Sequence, residues 1–230
     1  MKVVILSAGM GTRMGKNIPK PLTEITEHKT IMDFQIEKLL SKVSLKDIFV
    51  VVGYNKDMIM KKFPNLNYIF NDQFRTTNTS KSLLKALKKI VDEDVLYLDG
   101  DVYFDREVLD VIDYNNSCCL VTKEKPKKNE TKYNLNEKEF INEISKSLVR
   151  FDGSLSGIRF IKSQDLAIFR KELEEADDKE YSDMILGKLC LTNKIQLRPI
   201  FAEEVFCKGI NDKFELKEVR EYVSKKSIRK

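Results

Sequence analysis

Leu6-Ser7-Ala8-Gly9-Met10-Gly11-Thr12-Arg13, followed by Pro19-Lys20-Pro21-Leu22, is the stretch on which the reading of this chain turns. It grows out of Val3-Val4-Ile5-Leu6, a β-branched apolar run that predicts a buried strand. The strand empties into a glycine-rich loop that carries an arginine and, a few residues on, a lysine. Glycines let backbone N–H groups close around phosphate oxygens, and the two cations offset the charge those oxygens bring. The pattern predicts a nucleoside triphosphate as ligand.

Outward from this loop, strand and helix signals alternate. Helical spacing covers Ile31–Leu40, and a second buried strand, Ile48–Val52, ends at Gly53. A short helix over Lys56–Phe63 is stopped by Pro64, and Leu66–Phe70 reads as a third strand. Asn78 is a plausible N-cap for a helix over Asn78–Val91, and Val95–Leu98 is a fourth strand ending in Asp99-Gly100-Asp101. Short β-branched strands separated by helices predict an α/β fold: a Rossmann-like, mainly parallel mixed sheet flanked by helices. In such sheets ligands sit beyond the carboxyl ends of the strands, so the glycine loop and the Asp-Gly-Asp turn should share one edge.

The second half reads differently. Strand signals at Cys118–Thr122, Thr131–Leu135, Phe140–Ser145 and Ser156–Ile161 suggest a mixed or antiparallel section, with a lysine-rich loop over Lys123–Asn129. Helices near Gln164–Glu175 and Glu180–Leu191, a strand over Ile195–Phe201 and a helix over Asp212–Val223 complete the chain. We expect one domain over residues 1–230. Residues 1–122 would form its nucleotide-binding half, 123–205 an acceptor-binding section, and 206–230 a closing metal-ligand segment and helix.

At 230 residues the chain can bury a full core. The net charge of +5 is mild, and the basic end Lys225-Lys226-Ser227-Ile228-Arg229-Lys230 reads as a frayed solvated tail, so nucleic acid is not expected as a partner. Cys118, Cys119, Cys190 and Cys207 show no metal or disulfide spacing. The first apolar run is too short for a leader or a membrane span, and we expect a cytoplasmic protein, monomer or homodimer. His28 reads as loop surface.

The loop is neither of the two common phosphate loops. A dinucleotide fingerprint needs glycine at 14, where Met14 stands. A P-loop ending at Gly15-Lys16 needs glycine at 10 and Ser or Thr at 17, where Met10 and Asn17 stand. What the segment resembles is the G-x-G-T-R…P-K-P signature of the sugar-phosphate and choline-phosphate nucleotidylyltransferases. Further matches follow in the family's order: Val51-Val52-Gly53-Tyr54, Asn71, Thr77–Leu83, Leu98–Asp101, Ile144-Ser145-Lys146, and Gly209–Asp212 with Glu215-Leu216. Individually weak, they are specific together.

This resemblance implies transfer of a nucleoside monophosphate to a phosphorylated acceptor with release of pyrophosphate, assisted by Mg²⁺. Arg13 and Lys20 are then the catalytic cations, Arg13 on the β- and γ-phosphates and Lys20 between the α-phosphate and the acceptor. Nucleotide binding falls to Leu6, Ser7, Ala8, Gly9, Met10, Gly11, Thr12, Arg13, Lys20, Asn71, Thr77, Asn78, Thr79, Ser80 and Asp99. Asp101 and Asn211 are the implied metal ligands. Many relatives carry aspartate at the latter position, but an amide oxygen serves as a hard ligand, and the uridylyltransferases of N-acetylglucosamine 1-phosphate have a similar G-V-N. Asp212 is the competing ligand. Lys146, Gly157, Tyr181 and Asp183 are the implied acceptor residues, with Lys146 on the acceptor phosphate.

Asn71-Asp72 and Ser82-Leu83 look closer to the choline-phosphate cytidylyltransferase branch than to the sugar enzymes, so CTP is the expected triphosphate. The acceptor is expected among phosphocholine, an aminoalkyl phosphonate and a phosphoamino acid such as phosphoglutamine, in cell-surface polysaccharide biosynthesis. The alternatives are a sugar-1-phosphate nucleotidylyltransferase using UTP, GTP or dTTP, and a non-catalytic subunit that senses a sugar nucleotide.

Overall fold

Val3, Val4, Ile5 and Leu6 alternate between two apolar cores, and this alternation sets the architecture. The computed structural model describes residues 1–11, 17–127 and 129–228. Strand β1 (Lys2–Ser7) lies between β2 (Ile48–Val52) and β4 (Val95–Asp99), parallel to both, and β3 (Asn67–Phe70) adds in parallel outside β2. Val3 and Ile5 pack toward α1 (Ile31–Leu39) and α2 (Lys56–Lys62), while Val4 and Leu6 pack toward α3 (Thr79–Leu87), α5 (Ser163–Glu175) and α6 (Ser182–Leu191). Strands buried on both faces read as continuous apolar runs, as these do.

Beyond β4 the sheet turns mixed. The long strand β9 (Gly153–Ile161) runs antiparallel between β4 and β6 (Cys118–Thr122), and β10 (Arg198–Phe201) closes the far edge parallel to β6. The hairpin of β7 (Lys132–Leu135) and β8 (Ile141–Ser145) extends from β9. The fold is therefore α/β, with a mainly parallel central sheet flanked by helices, as the sequence predicts.

Three elements carry no clear signal in the sequence: β5 (Val102–Phe104), α4 (Val108–Val111) and β11 (Cys207–Gly209). β5 and β11 pair antiparallel, with Val102 opposite Gly209. A small core of Ile25, Ile31, Tyr103, Ile210, Leu216, Val219 and Val223 holds the last helix, α7 (Lys213–Ile228), against this ribbon. The expected frayed tail is thus helical to Ile228, and Lys226 reaches the buried Asp105 carboxylate at 2.8 Å. α3 stops at Leu87, short of the expected Val91: the hydrogen bonding tightens there, with Lys89 N–H donating to Ala86 O at 2.9 Å, and Asp92 beyond it is left-handed (φ 57°). Among the described residues no helix is long and apolar enough to cross a membrane.

Candidate active site

The in-register parallel pairing of β1 with β2 and β4 brings their carboxyl ends level, Leu6 lying beside both Val51 and Asp99. The loop after β1 is locked from both sides. Tyr54 N–H donates to Ala8 O at 3.1 Å, and Gly100 N–H donates to Leu6 O at 2.9 Å. Gly100 has to be glycine: a Cβ there would lie 2.5 Å from Ser7 Oγ and 2.8 Å from Leu6 O. Gly11, at φ 58°, bends the loop so that its Cα faces the Cβ of Lys20. Gly9 and Met10 are exposed, whereas Leu6, Ser7 and Ala8 are buried. Thr12 and Arg13 lie outside the described residues.

The β5–β11 ribbon delivers the second half of the site. Ile210 N–H donates to Asp101 O at 2.9 Å, which continues the ribbon and sets Asn211 beside the Asp-Gly-Asp turn. Lys20 Nζ then meets both candidate metal ligands: it ion-pairs with Asp101 Oδ2 and donates to Asn211 Oδ1 at 3.2 Å. Asp212 is committed elsewhere. Its Oδ1 accepts Glu215 N–H at 2.8 Å as the N-cap of α7, and that backbone bond holds its carboxyl below the usual range. Glu215, 3% exposed, accepts Asn211 N–H at 2.6 Å and ion-pairs with Lys127. Geometry therefore turns Asn211 toward Lys20 and Asp212 toward its own helix.

Asp101 Oδ2 and Asn211 Oδ1 are hard oxygens that already converge on a single cation, the Lys20 ammonium. That donor set fits Mg²⁺, which takes few protein ligands and keeps its remaining positions for water and phosphate. Among the described residues there is no group of three or more His, Cys, Asp or Glu side chains placed to hold a metal.

Residues that sequence reasoning missed hold this turn in place. Gln35, fully buried on α1, donates from Nε2 to Asp99 O at 3.0 Å and to Val102 O at 2.8 Å, clamping the turn from both ends. Arg159, 3% exposed on β9, donates to Asp99 Oδ2 at 2.8 Å and ion-pairs with Asp183 on α6. Desolvation pushes the Asp99 carboxyl up to about 6, with Arg159 opposing the rise and the Asp183 and Asp101 carboxylates adding to it. An arginine inside the apolar run Ile158–Ile161 was the available signal, since buried arginines are paired.

The 71–80 segment is braced from within. Asn71, 1% exposed, donates to Thr77 Oγ1 and Ser82 Oγ at 3.0 Å each. Asn78 caps α3 through Thr79 N–H at 2.9 Å and donates to Lys179 O at 3.1 Å, while Thr79 Oγ1 accepts Ser182 N–H at 2.9 Å. Ser80 is fully buried. Side chains here shape the loop, and its backbone ties to the segment before α6, Asn78 N–H donating to Asp178 O at 2.8 Å and Ser80 N–H to Glu180 O at 3.3 Å.

Of the residues expected to bind the acceptor, Lys146 has its Nζ 3.6 Å from the Tyr181 ring centroid. Asp183 is turned inward, and Gly157 (φ 84°) lies against Val102 and Asp99. His28 is exposed, and Cys118 and Cys119 are buried.

Residues 3–113 match the MobA-like NTP transferase domain. The bifunctional protein GlmU of Methanococcus maripaludis is 33% identical over 132 residues, covering 55% of this chain and 31% of that protein. The choline-phosphate cytidylyltransferase of Streptococcus pneumoniae is 34% identical over 108 residues, 45% of each chain. The chain thus spans under a third of the GlmU relative and under half of the cytidylyltransferase in these alignments. In fold it is similar to the solved CTP:phosphocholine cytidylyltransferase of Streptococcus pneumoniae, with a TM-score of 0.78, 20% identity, and coverage of 96% of this chain and 98% of that one.

Proposed function

We propose that this chain, whose residues 3–113 carry a MobA-like NTP transferase domain, transfers CMP from CTP to a small phosphorylated or phosphonate acceptor. The observation that carries this reading is the meeting of Lys20 with Asp101 and Asn211 at the edge where the glycine loop ends. An acceptor phosphate oxygen attacks the α-phosphorus, the bond from that phosphorus to the β-bridging oxygen breaks, and pyrophosphate leaves in line. A phosphomonoester has its second pKa near ~6 and is already an anion at neutral pH, so no general base is needed.

The difficulty of the step is crowded negative charge. Lys20 exchanges its contacts with Asp101 and Asn211 for the phosphate oxygens, and Arg13 holds the β- and γ-phosphates. Backbone N–H groups of the loop supplement both cations. Asp101 and Asn211 would hold Mg²⁺, which would supply further positive charge against the crowded phosphate oxygens. Asp99 faces the nucleotide while Arg159 and Gln35 keep its turn rigid.

A second reading, transfer of UMP to a sugar 1-phosphate, is favoured by Gly209-Ile210-Asn211 and by the likeness to GlmU. A panel of CTP, UTP, GTP and dTTP, each with Mg²⁺ and a mixture of phosphorylated metabolites, separates the two by pyrophosphate release and by the mass of the conjugate. The first reading expects CTP to dominate; dominance of UTP would overturn it in favour of the second.

A further inference from the structure

The acceptor section, residues 123–205, contains seven aromatic residues. Tyr133, Phe160 and Phe169 are buried in the main cores. Each of the others presents its ring to a cation of the chain itself. Tyr181 lies under Lys146 at 3.6 Å and Phe201 under Lys123 at 4.4 Å. Phe151 lies under Lys132 at 5.1 Å and Phe140 beside Arg198 at 5.6 Å. A quaternary ammonium is recognised by open ring faces, and each of these rings already has a cation of the chain over one face.

On the α6 side of Tyr181 the first carboxylate is also committed. Asp183 is 8% exposed and paired with Arg159, whose other guanidinium nitrogen holds Asp99. Lys146 differs from that arrangement: among the described residues no carboxylate lies within ion-pair distance of its ammonium. Its positive charge rests on a polarisable ring, which leaves its N–H donors available for an anion.

We infer that the acceptor carries, besides the phosphate that reacts, a carboxylate on its tail, and that Lys146 seated on Tyr181 receives it. This rests on the transfer reading above, in which Lys20 serves the reacting phosphate, and it moves Lys146 from the acceptor phosphate, where the sequence resemblance put it, to the far end of the acceptor. Arg159 keeps Asp183 from repelling such a tail.

The test supplies the protein with CTP, Mg²⁺ and, separately, phosphocholine, glycerol 3-phosphate, 3-phosphoglycerate or O-phosphoserine, and follows pyrophosphate release. The carboxylate-bearing acceptors are expected to exceed phosphocholine at least about tenfold in kcat/KM, the worth of one charge-assisted contact. Lys146→Met should remove that advantage. Preference for phosphocholine, or an equal loss with every acceptor in Lys146→Met, overturns the inference while leaving nucleotidyl transfer standing. Absence of pyrophosphate release with every acceptor and every triphosphate overturns both.

Discussion

Lys20 and Asn211 are separated by 191 positions in sequence, yet Lys20 Nζ donates to Asn211 Oδ1 at 3.2 Å. The contact joins the end of the glycine-loop segment to the last turn before α7, with the Asp101 carboxylate sharing the same ammonium. A cation held by two oxygens, at the edge where a triphosphate is expected, is the relationship from which the functional reading follows.

Removing either charge should stop the reaction without unfolding the protein. Asp101→Ala and Lys20→Ala are each expected to lower kcat by at least ~10²-fold, the usual cost of losing a principal electrostatic group. Circular dichroism and melting of the same samples check that the fold is kept. His28→Ala, on an exposed loop, should leave turnover unchanged.

The neighbours Asn211 and Asp212 should part cleanly. Asn211→Ala is expected to reduce turnover with little effect on stability. Asp212→Ala removes the N-cap of α7 and should cost about 1 kcal/mol of stability with turnover largely retained. Denaturant melts alongside steady-state rates measure both; the reverse pattern would assign the ligand role to Asp212.

Gln35→Leu leaves the carbonyls of Asp99 and Val102 without their buried donor. The expected loss is about 1–3 kcal/mol, read from urea unfolding, because an unsatisfied buried acceptor forfeits its hydration. A neutral result would mean that the turn holds itself.

Lys38 gives the stability a readable pH dependence. Burial lowers its ammonium to about 8, with Nζ 3.7 Å from the Tyr103 ring centroid. The folded chain therefore binds fewer protons than the unfolded chain between about 8 and the ordinary lysine value. The penalty for the charged form is fully present below pH 8 and is relieved as pH rises toward 10.5. Relative to Lys38→Met, the wild type should gain stability between pH 7.5 and about 10. Parallel melting curves of the two proteins across that range check it, and curves that keep a constant separation would refute it.

Much of this was legible because local and global signals agree. Val3–Leu6 and Ile48–Val52 are apolar on both faces, and their strands fall almost where the pattern puts them. The glycine loop announces itself by following Val3–Leu6 directly, and the Asp-Gly-Asp turn by following Val95–Leu98. Cys207-Lys208-Gly209 has no strand propensity and pairs only because Val102–Phe104 is waiting for it. Asn211 could be aligned by resemblance, but its proximity to Lys20 comes from that ribbon. Gln35 occupies one slot in an amphipathic helix, where nothing in sequence separates a surface glutamine from a clamp. Lys226 was read as a solvated end because its partner, Asp105, lies 121 residues away and is buried by tertiary packing.

A crystal structure with CTP and Mg²⁺ tests the central claim most directly. The triphosphate should lie against residues 8–20, with the cation between the Asp101 and Asn211 side-chain oxygens and the Lys20 ammonium moved onto phosphate. A triphosphate bound elsewhere, with Lys20 still resting on Asp101 and Asn211, would contradict the account.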